Sequence, residues 1–495
     1  MGGQTQSTTV GQLPTPRTGN SRVPAVLTKV VWTLWILSCA AVVVFLRNTG
    51  GWEIAGLAKV DGLTVVMWVT VTFFSGIVHS YSRRYLAGSR TIDRFFGRVF
   101  AFTLMVMVLV SADHLAVFGL AWLAMGLVMA DLIGHVENWP QAQSAASLAR
   151  RYFVASSAVL GGALAVLWWG TGATTISGAL SATATTPSTI LLSAAAALVL
   201  AAMIQSALLP FHTWLLSSMT APTPASALMH AGFVNAGGVL LTRFAPVVTV
   251  DAGLMLAIVA IGAASALGGK LLKTVQTDIK GQLGCSTIGQ MGFMILQAGL
   301  GFFGAAVTHL ILHGFYKAYQ FLVSGSRIQH ESPRQTKSWG ALGAVDVIGI
   351  GLTALVGGGL FAALTGKGTK LDSGLLLTFV VVLTVVHAGR EVVTQASLPT
   401  SLRYGALPLV VLPAVAVYAT VYRAITGLLA GLPAVGQPAE LTVLHGLVAV
   451  AFVVAYVAIE TGIYKRSRRL YVALVNATQP PAETLLTATE EYNEY

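Results

Sequence analysis

Long apolar runs alternate with short polar loops over almost the whole chain. A helix of about 20 apolar residues is long enough to cross a membrane, so each long run predicts one transmembrane helix. We predict about fourteen such helices, which makes the expected fold class all-α and polytopic. The predicted spans lie near residues 26–46, 63–81, 98–112, 114–134, 152–170, 190–209, 224–245, 252–272, 283–299, 303–325, 344–365, 373–389, 405–427 and 441–463.

Two of these spans are predicted to be broken. At Leu209-Pro210-Phe211-His212 a proline removes a helical hydrogen bond beside polar and aromatic residues. The glycine-rich stretch 357–368 weakens a second span. Interrupted helices are tolerated in a membrane only beside a cavity, and a pair of them is typical of transporters built from inverted repeats. We therefore predict two inverted repeats of five helices, at about 98–245 and 252–389.

Composition supports a membrane protein. Apolar residues make up 55% of the 495 residues and charged residues only 9%, whereas about a quarter of the residues of a soluble protein are charged. The net charge of +11 does not indicate nucleic-acid binding, because the basic residues lie in short loops between apolar runs.

The positions of the basic residues predict the orientation. The loop 83–98 contains five arginines and one acid, Asp93, so it is expected in the cytoplasm. Lys367 and Lys370, in the loop 366–372, are an exception, because they fall on the opposite side. Counting spans from the arginine-rich loop places the other basic residues on the cytoplasmic side: Arg150, Arg151, Lys273, Lys280, Arg327, Arg334, Lys337, Arg390, Arg403, Lys465, Arg466, Arg468 and Arg469.

The same count divides the chain into three parts. Residues 1–25 are rich in Gly, Ser, Thr, Gln and Pro and are expected to form a disordered cytoplasmic tail without the features of a signal peptide. The transmembrane domain is expected at 26–463, and a short cytoplasmic tail at 464–495. An even number of spans leaves both termini in the cytoplasm.

The strongest chemical signal is a row of titratable residues within one apolar span. His309, His313 and Lys317 recur every four residues, so their side chains share one face of a helix. Charge inside the hydrocarbon layer is costly, and such residues usually face a polar interior and serve a pathway. The alternative is that the histidines only hydrogen-bond between helices while Lys317 reaches an interface.

Three more titratable residues are candidates for the same task. Moving protons or sodium ions across a membrane needs groups that change charge reversibly, and histidine does so near neutral pH. His230 lies in the seventh span, and Lys270 and Lys273 lie at the end of the eighth. The alternatives are an interhelical histidine for His230 and an ordinary cytoplasmic anchor for Lys273.

Three segments resemble the antiporter-like family, which includes the proton-pumping membrane subunits of respiratory complex I and of multisubunit cation/proton antiporters. They are Leu208–Ala231, Gln276–Phe293 and the row His309, His313 and Lys317. The likeness covers roughly residues 60–370. It implies that His230 and the row lie on a hydrated proton axis in the middle of the membrane.

This sequence departs from the family at a charge pair. The family has a glutamate after the tryptophan of the fourth span, where this chain has Leu123, and a lysine four residues before the broken Leu-Pro, where it has Gln205. Asp131, two turns beyond Leu123, is either a displaced acid or a helix-end carboxylate. Lys367 lies roughly where the family has its exit lysine.

One branch of the family is most similar around Ser217–Gly238, namely the membrane subunits of DAB inorganic-carbon accumulation complexes. This resemblance implies a subunit of the bacterial inner membrane that conducts H⁺ or Na⁺. It also implies a partner, a large zinc-containing, carbonic-anhydrase-like (DabA-like) cytoplasmic subunit, which the cation flow energises.

Two other functions stay open. The chain is alternatively a subunit of a redox-driven pump, either complex I-like or a membrane hydrogenase, or a membrane scaffold whose ion path is vestigial. The two cysteines, Cys39 and Cys285, lie far apart, and no residues have the spacing of metal ligands. We therefore expect no metal or cofactor in this chain, and no catalysis by it, with zinc in the partner alone.

Overall fold

The structure is a computed structural model that describes residues 21–47, 51–54, 56–324, 343–393 and 400–479. Most of these residues are helical. The helices are α1 Val23–Arg47, α2 Gly62–Tyr85, α3 Ile92–Ser111, α4 Leu115–Ile133, α5 Pro140–Thr171, α6 Ile176–Ser181, α7 Ser188–Gln205, α8 Thr213–Ser217, α9 Thr223–Ala231, α10 Ala236–Arg243, α11 Ala245–Val248, α12 Ala252–Lys273, α13 Ile279–Gly299, α14 Phe303–Leu322, α15 Ala344–Thr365, α16 Gly374–Val393, α17 Thr400–Leu428, α18 Val443–Thr461 and α19 Arg468–Thr478. Short 3-10 turns lie at Ala182–Ala184, Ser218–Thr220, Phe233–Asn235, Leu429–Gly431 and Ile463–Lys465.

Helices occupy all fourteen predicted spans, which confirms the fold class. Within the described ranges, eleven of the spans are long and apolar enough to cross a membrane. The remaining three are α13, α14 and α16. The protein is therefore a multi-pass membrane protein.

The structure adds two small elements to the prediction. Strands β1 Trp52–Ile54 and β2 Ala58–Val60 pair antiparallel between α1 and α2, with Glu53 opposite Lys59. Part of the predicted C-terminal tail forms helix α19. Residues 1–20 and 480–495, together with Arg327, Arg334 and Lys337, lie outside the described residues.

The break predicted at Pro210 is confirmed. Helix α7 ends at Gln205, and the chain is not helical again until α8 begins at Thr213. The sequence analysis missed a further interruption, where α9 ends at Ala231 and a 3-10 turn at Phe233–Asn235 leads into α10. The predicted seventh span therefore consists of two short helices.

The break predicted in the glycine-rich stretch 357–368 is wrong for Gly357–Gly359, which lie inside one continuous helix, α15. The reason is that Gly358 faces the Val382 side chain of α16 directly, so that any side chain at this position would collide with it. Gly358 therefore allows close packing, and none of the three glycines breaks the helix. The helix ends only at Gly366, in a left-handed conformation that glycine adopts without strain. The division into two inverted repeats stays a prediction.

Helices α12 and α13 pack with their backbones almost in contact. A side chain at Gly269 would collide with the backbone of Gly289, and one at Gly292 would collide with the backbone of Ala266. Small residues at such positions are typical of helix pairs in membranes, because they increase the packing contact. On the same helix α13, Thr287 is fully buried.

A buried ion pair joins α2 to α10. Arg243 forms a salt bridge with Asp61, and its side chain is 7% exposed. The guanidinium also donates to the Thr64 hydroxyl at 3.2 Å and to the Val110 backbone oxygen at 2.7 Å. Burial by itself raises the pKa of the Asp61 carboxyl, but the charge and hydrogen bonds of Arg243, with hydrogen bonds from Thr64, hold that pKa below its usual value.

Asp61→Asn should destabilise the protein by about 3 to 5 kcal/mol, because it leaves the Arg243 charge buried without a counter-charge. The asparagine keeps the side-chain oxygen that caps α2, so the loss of stability measures the contribution of the ion pair and not of the cap. The lowered pKa means that the contribution of Asp61 is complete at neutral pH and is lost only as the pH falls below about 4. Thermal unfolding in detergent at pH 7 measures the difference.

The matched control is Asp251→Asn, which changes the capping aspartate of α12, whose side chain accepts from Leu254 N at 2.7 Å. The double variant Asp61→Asn with Arg243→Met should recover part of the stability, since it leaves no unpaired charge. A double variant less stable than Asp61→Asn alone would contradict the argument.

The orientation gives a second test. Ser89 lies in the loop between α2 and α3. Thr185 lies between the 3-10 turn Ala182–Ala184 and α7, and three long helices separate the two positions. Single cysteines at Ser89 and Thr185, in a chain without Cys39 and Cys285, should react with impermeant reagents from opposite sides, with Ser89 facing the cytoplasm. Labelling of both positions from one side would rule out the predicted topology.

Candidate functional site

The centre of the candidate site is one face of α14. His309, His313 and Lys317 all lie on this face, with 8%, 6% and 0% of their surface exposed. The two imidazole rings are nearly parallel, and their centroids are 5.7 Å apart. The Lys317 amine donates a hydrogen bond to the backbone oxygen of Leu283 at 2.9 Å. The predicted row is therefore a buried polar feature, and Lys317 turns inward to the protein.

Three ring nitrogens of this row have no hydrogen-bond partner among the described residues. They are Nε2 of His309 and both nitrogens of His313. The edge-on neighbour of His309 is the apolar ring of Phe293, whose centroid is 5.3 Å away. Buried polar atoms are nearly always hydrogen-bonded to protein or to water. The row is thus a place where water molecules can enter the chain of titratable groups.

His230 joins the row from α9. The Thr287 hydroxyl donates to the Leu283 oxygen at 2.9 Å, and it therefore accepts the hydrogen bond from Nδ1 of His230, also 2.9 Å away. This assigns the proton of the neutral imidazole to Nδ1 and leaves Nε2 as an acceptor, and Nε2 has no described partner. Because Lys317 donates to the same Leu283 oxygen, the Thr287 hydroxyl and this carbonyl together link α9, α13 and α14.

A cavity of about 490 Å³ lies beside this cluster, at the ends of the helices that are predicted to face the cytoplasm. Its lining includes Ser89, His135 and Lys280. The Lys280 amine donates to the backbone oxygens of Met219 and Ala221, both at 3.2 Å. Lys280 is close enough to His230 to act on it electrostatically. Lys280 therefore lies between the cavity and His230.

The wall of this cavity has a fixed charge pattern. Burial lowers the pKa of His135 to about 4, and the charges of Arg98 and Arg94 act in the same direction, so His135 is neutral at physiological pH. Its Nε2 lies 3.0 Å from the Thr91 hydroxyl. Arg94 forms a salt bridge with Glu137 across the rim.

Lys270 belongs to a second cluster that the sequence analysis did not anticipate. Its amine lies 3.1 Å from Nε2 of His387 in α16, and Nδ1 of His387 lies 3.1 Å from the Glu460 carboxylate in α18. Arg390 pairs with the other Glu460 oxygen at 3.1 Å. His387 and Glu460 are titratable residues within predicted apolar spans, which is the signal that would have found them.

The remaining predicted lysines lie at the two ends of the molecule. Lys273 is half-buried at the last position of α12, one turn beyond Lys270. Lys367 lies in the loop between α15 and α16, with its amine 4.4 Å from the centroid of the Phe302 ring. Burial lowers the pKa of Lys367, while Asp372 raises it and Lys370 lowers it further. Lys367 therefore lies at the N-terminal end of α14, opposite to Lys317.

Asp131 lies outside the buried row. It pairs with Arg150 at 2.7 Å, and the two side chains are 44% and 51% exposed. The Asp131 backbone oxygen accepts from Arg98 at 3.0 Å. This geometry is that of a helix-end carboxylate in a surface ion pair, the second of the two interpretations of Asp131.

No group of three or more His, Cys, Asp or Glu side chains in the described ranges is arranged to hold a metal ion. His309 and His313 are metal-ligand residue types, but the third titratable residue in their row is a lysine and not a third ligand.

Comparison with known proteins identifies the family. Residues 112–390 match the profile of the family described as NADH:quinone oxidoreductase/Mrp antiporter, transmembrane. Residues 47–96 match the profile described as NADH-ubiquinone oxidoreductase (complex I), chain 5 N-terminus. The chain belongs to this antiporter family.

Within the antiporter family, the chain is similar to proteins named probable inorganic carbon transporter subunit DabB. It is 35% identical to that of Bacillus subtilis, with 72% of this chain and 71% of the relative covered. It is 39% identical to DabB1 of Halothiobacillus neapolitanus, with 56% of this chain and half of the relative covered. NADH-quinone oxidoreductase subunit L of Mycobacterium tuberculosis is 30% identical, with 66% and 53% covered. These matches confirm the resemblance to the DabB branch.

A solved structure supports the fold. The Mrp complex from Dietzia sp. DQ12-45-1b contains a chain that matches with a TM-score of 0.58 and 22% identity, covering 92% of this chain and 55% of that chain. At this identity the match shows the antiporter fold alone.

The two departures from the family charge pair lie on different surfaces. Leu123 is half-buried, whereas its neighbour Trp122 points inward and donates to the Ser156 hydroxyl of α5 at 3.2 Å. Ser156 donates in turn to Ala201 of α7 at 3.0 Å. Helix α5 therefore stands between α4 and α7 at this depth. Gln205, at the end of α7, is fully buried, and neither amide atom has a described partner.

Gln205→Leu should leave thermal stability unchanged or raise it, by up to about 1 to 3 kcal/mol, because it removes unpaired polar atoms at similar volume. Gln205→Lys should lower stability, because it buries a charge. Adding Leu123→Glu should not restore it, since α5 separates the two positions. Thermal unfolding of the three variants in detergent measures this, and full recovery in the double variant would show that the two side chains do meet.

Proposed function

We propose that this chain is the cation-conducting membrane subunit of an inorganic carbon transport complex in the bacterial inner membrane, with both termini in the cytoplasm. It acts as a transporter subunit and not as an enzyme. The observation that carries the proposal is the buried row of His309, His313 and Lys317, joined to His230 through the Leu283 carbonyl and Thr287. The similarity to DabB subunits supports inorganic carbon as the cargo of the complex.

The row has the properties that proton conduction needs. Imidazole accepts a proton at one nitrogen and releases one from the other, so a histidine with both nitrogens available passes protons onward. His313 has both nitrogens available, and Lys317 lies one helical turn away on the same face. The cavity beside Lys280 offers access from the cytoplasm. A proton that enters there meets His230 and Lys317 first and the two other histidines afterwards.

The cargo chemistry belongs to a partner. We expect a large zinc-containing, carbonic-anhydrase-like (DabA-like) cytoplasmic subunit that converts CO₂ to bicarbonate, driven by cation flow through this chain. The DabB relatives are named as transporter subunits, which supports the view that this chain acts in a complex. Co-purification with the native partner, followed by identification of that partner and elemental analysis for zinc, tests this step.

The second candidate is a subunit of a redox-driven pump, which the similarity to subunit L of Mycobacterium tuberculosis favours. Leu123 and Gln205 argue against it, because they remove the two charges that the resemblance assigns to such pumps. Recovery of quinone-reducing or hydrogenase subunits in the co-purification would support the redox pump over carbon transport.

Lys317→Met should abolish bicarbonate uptake while insertion and assembly stay normal. Methionine keeps the length and apolar packing of the side chain and removes the amine. The Leu283 carbonyl keeps its hydrogen bond from Thr287, so little structural damage is expected. His313→Ala should behave similarly, and His309→Ala less severely because water can fill the gap. Uptake is measured in cells that lack their own carbonic anhydrase, beside a pull-down of the partner.

The matched control is Lys29→Met, the same change at an exposed position of α1. It should leave uptake unaltered. Wild-type uptake by an assembled Lys317→Met complex would show that the row is structural, and the chain would then be better described as a scaffold with a vestigial path.

A further inference from the structure

A second chain of hydrogen-bonded titratable groups connects three helices, and it is separate from the α14 row. It consists of Lys270 in α12, His387 and Arg390 in α16, and Glu460 in α18. Each link measures 3.1 Å, which is hydrogen-bond distance. The residues lie 117 and 73 positions apart in sequence, so the fold and not local structure brings them together.

The direction of the hydrogen bonds follows from the groups themselves. A lysine ammonium and an arginine guanidinium only donate, and an ionised carboxylate only accepts. Lys270 therefore donates to Nε2 of His387, which leaves the ring proton on Nδ1, and Nδ1 donates to Glu460. Arg390 donates to the second Glu460 oxygen. The neutral imidazole thus stands between a proton donor and a proton acceptor.

The cluster lies at one end of its helices. Lys270 is in the last turn of α12, Arg390 is in the last turn of α16, and Glu460 is the last residue but one of α18. All three ends belong to the side that the basic loops assign to the cytoplasm. The side chains of His387 and Glu460 are 30% and 15% exposed. The cluster is therefore in reach of water on one side and buried on the other.

Helix α12 also carries a residue near the α14 row. Lys273, one turn after Lys270, is close enough to Lys317 to act on it electrostatically. A further titratable neighbour of His387 is Tyr456 of α18, with ring centroids 6.1 Å apart. An ion pair between Arg390 and Glu460 alone would tie α16 to α18, and it would require neither His387 nor Lys270.

We propose that Lys270, His387 and Glu460 form a proton relay that connects the α14 row to the cytoplasm between α12, α16 and α18. In one transfer, the Lys270 N–H bond breaks as a bond forms at Nε2 of His387. The Nδ1–H bond breaks as an O–H bond forms on Glu460. One proton enters the ring at Nε2, a different one leaves from Nδ1, and Glu460 releases that second proton to water. The Lys270 amine then takes a replacement proton from the α14 row, and proton exchange with water returns the ring to the Nδ1–H tautomer. This inference rests on the proposed function, since it requires that the chain conducts protons.

The first test separates a relay from a structural contact. His387→Gln keeps a donor and an acceptor but cannot pass a proton. In the complex of this chain with its native partner, reconstituted into vesicles that contain a pH-sensitive dye, we expect normal assembly and thermal stability and at least a tenfold loss of proton flux. His445→Gln, in the same helix as Glu460 and at its other end, is the control and should conduct as the wild type does.

The second test is chemical rescue. His387→Ala should lose flux, and added imidazole should restore it from the cytoplasmic side, because the side chain is partly exposed. Pyrazole, a ring of the same size and far weaker basicity, should not. Flux of at least half the wild-type level in His387→Gln, or equal rescue by both rings, would overturn the relay.

Lys317→Met in the same vesicles distinguishes the two proposals. Loss of flux in Lys317→Met together with normal flux in His387→Gln would overturn the relay and leave the proposed function intact. Normal proton flux in Lys317→Met would overturn conduction by the α14 row and the relay with it. Sodium transport without proton movement in the wild type would overturn the relay and leave cation conduction intact.

Discussion

The structure depends on the burial of one amine. Lys317 has no exposed surface, and a charged side chain in a hydrocarbon layer is costly unless protein or water surrounds it. Its hydrogen bond to the Leu283 oxygen requires α13 to lie against α14 at this depth. The same oxygen accepts from Thr287, which in turn fixes His230 of α9. The Thr287 hydroxyl and this carbonyl thereby link three helices, and the interrupted span between α9 and α10 follows directly after His230.

Close packing behind this centre sets the position of the second cluster. The backbones of α12 and α13 approach each other at Gly269 and Gly289 until no side chain fits between them. Lys270 follows directly after Gly269, so this contact fixes the height and direction at which its amine leaves α12. The side chain then meets His387 of α16. Gly269 thus determines where the Lys270 amine lies, because the close contact prevents α12 from sliding or rotating against α13.

The sequence predicted the features that are local. Fourteen spans followed from the length of apolar runs, and the α14 row followed from a spacing of four residues. Gly232 and Gly358 are both glycines within predicted spans, yet Gly232 lies at a break and Gly358 lies in an unbroken helix. The Val382 side chain against Gly358 could not be known from the chain pattern. His387 and Glu460 did carry a sequence signal, as titratable residues within predicted spans, but their pairing exists only once distant helices meet.

The titratable groups are distributed unequally along the chain, and this distribution limits where a proton path can run. In the described part of the chain before α9, the position where the family has a lysine holds Gln205, and Asp131, the acid considered as a displaced partner, pairs at the surface with Arg150. An amide does not change charge at physiological pH, so Gln205 can orient water but cannot hold a proton. From His230 onward, by contrast, hydrogen-bonded or stacked neighbours link titratable groups in both clusters. The linked groups on which the proposed proton path rests therefore lie in the second half of the molecule, and the first half contributes most of the cavity wall and the break at Pro210.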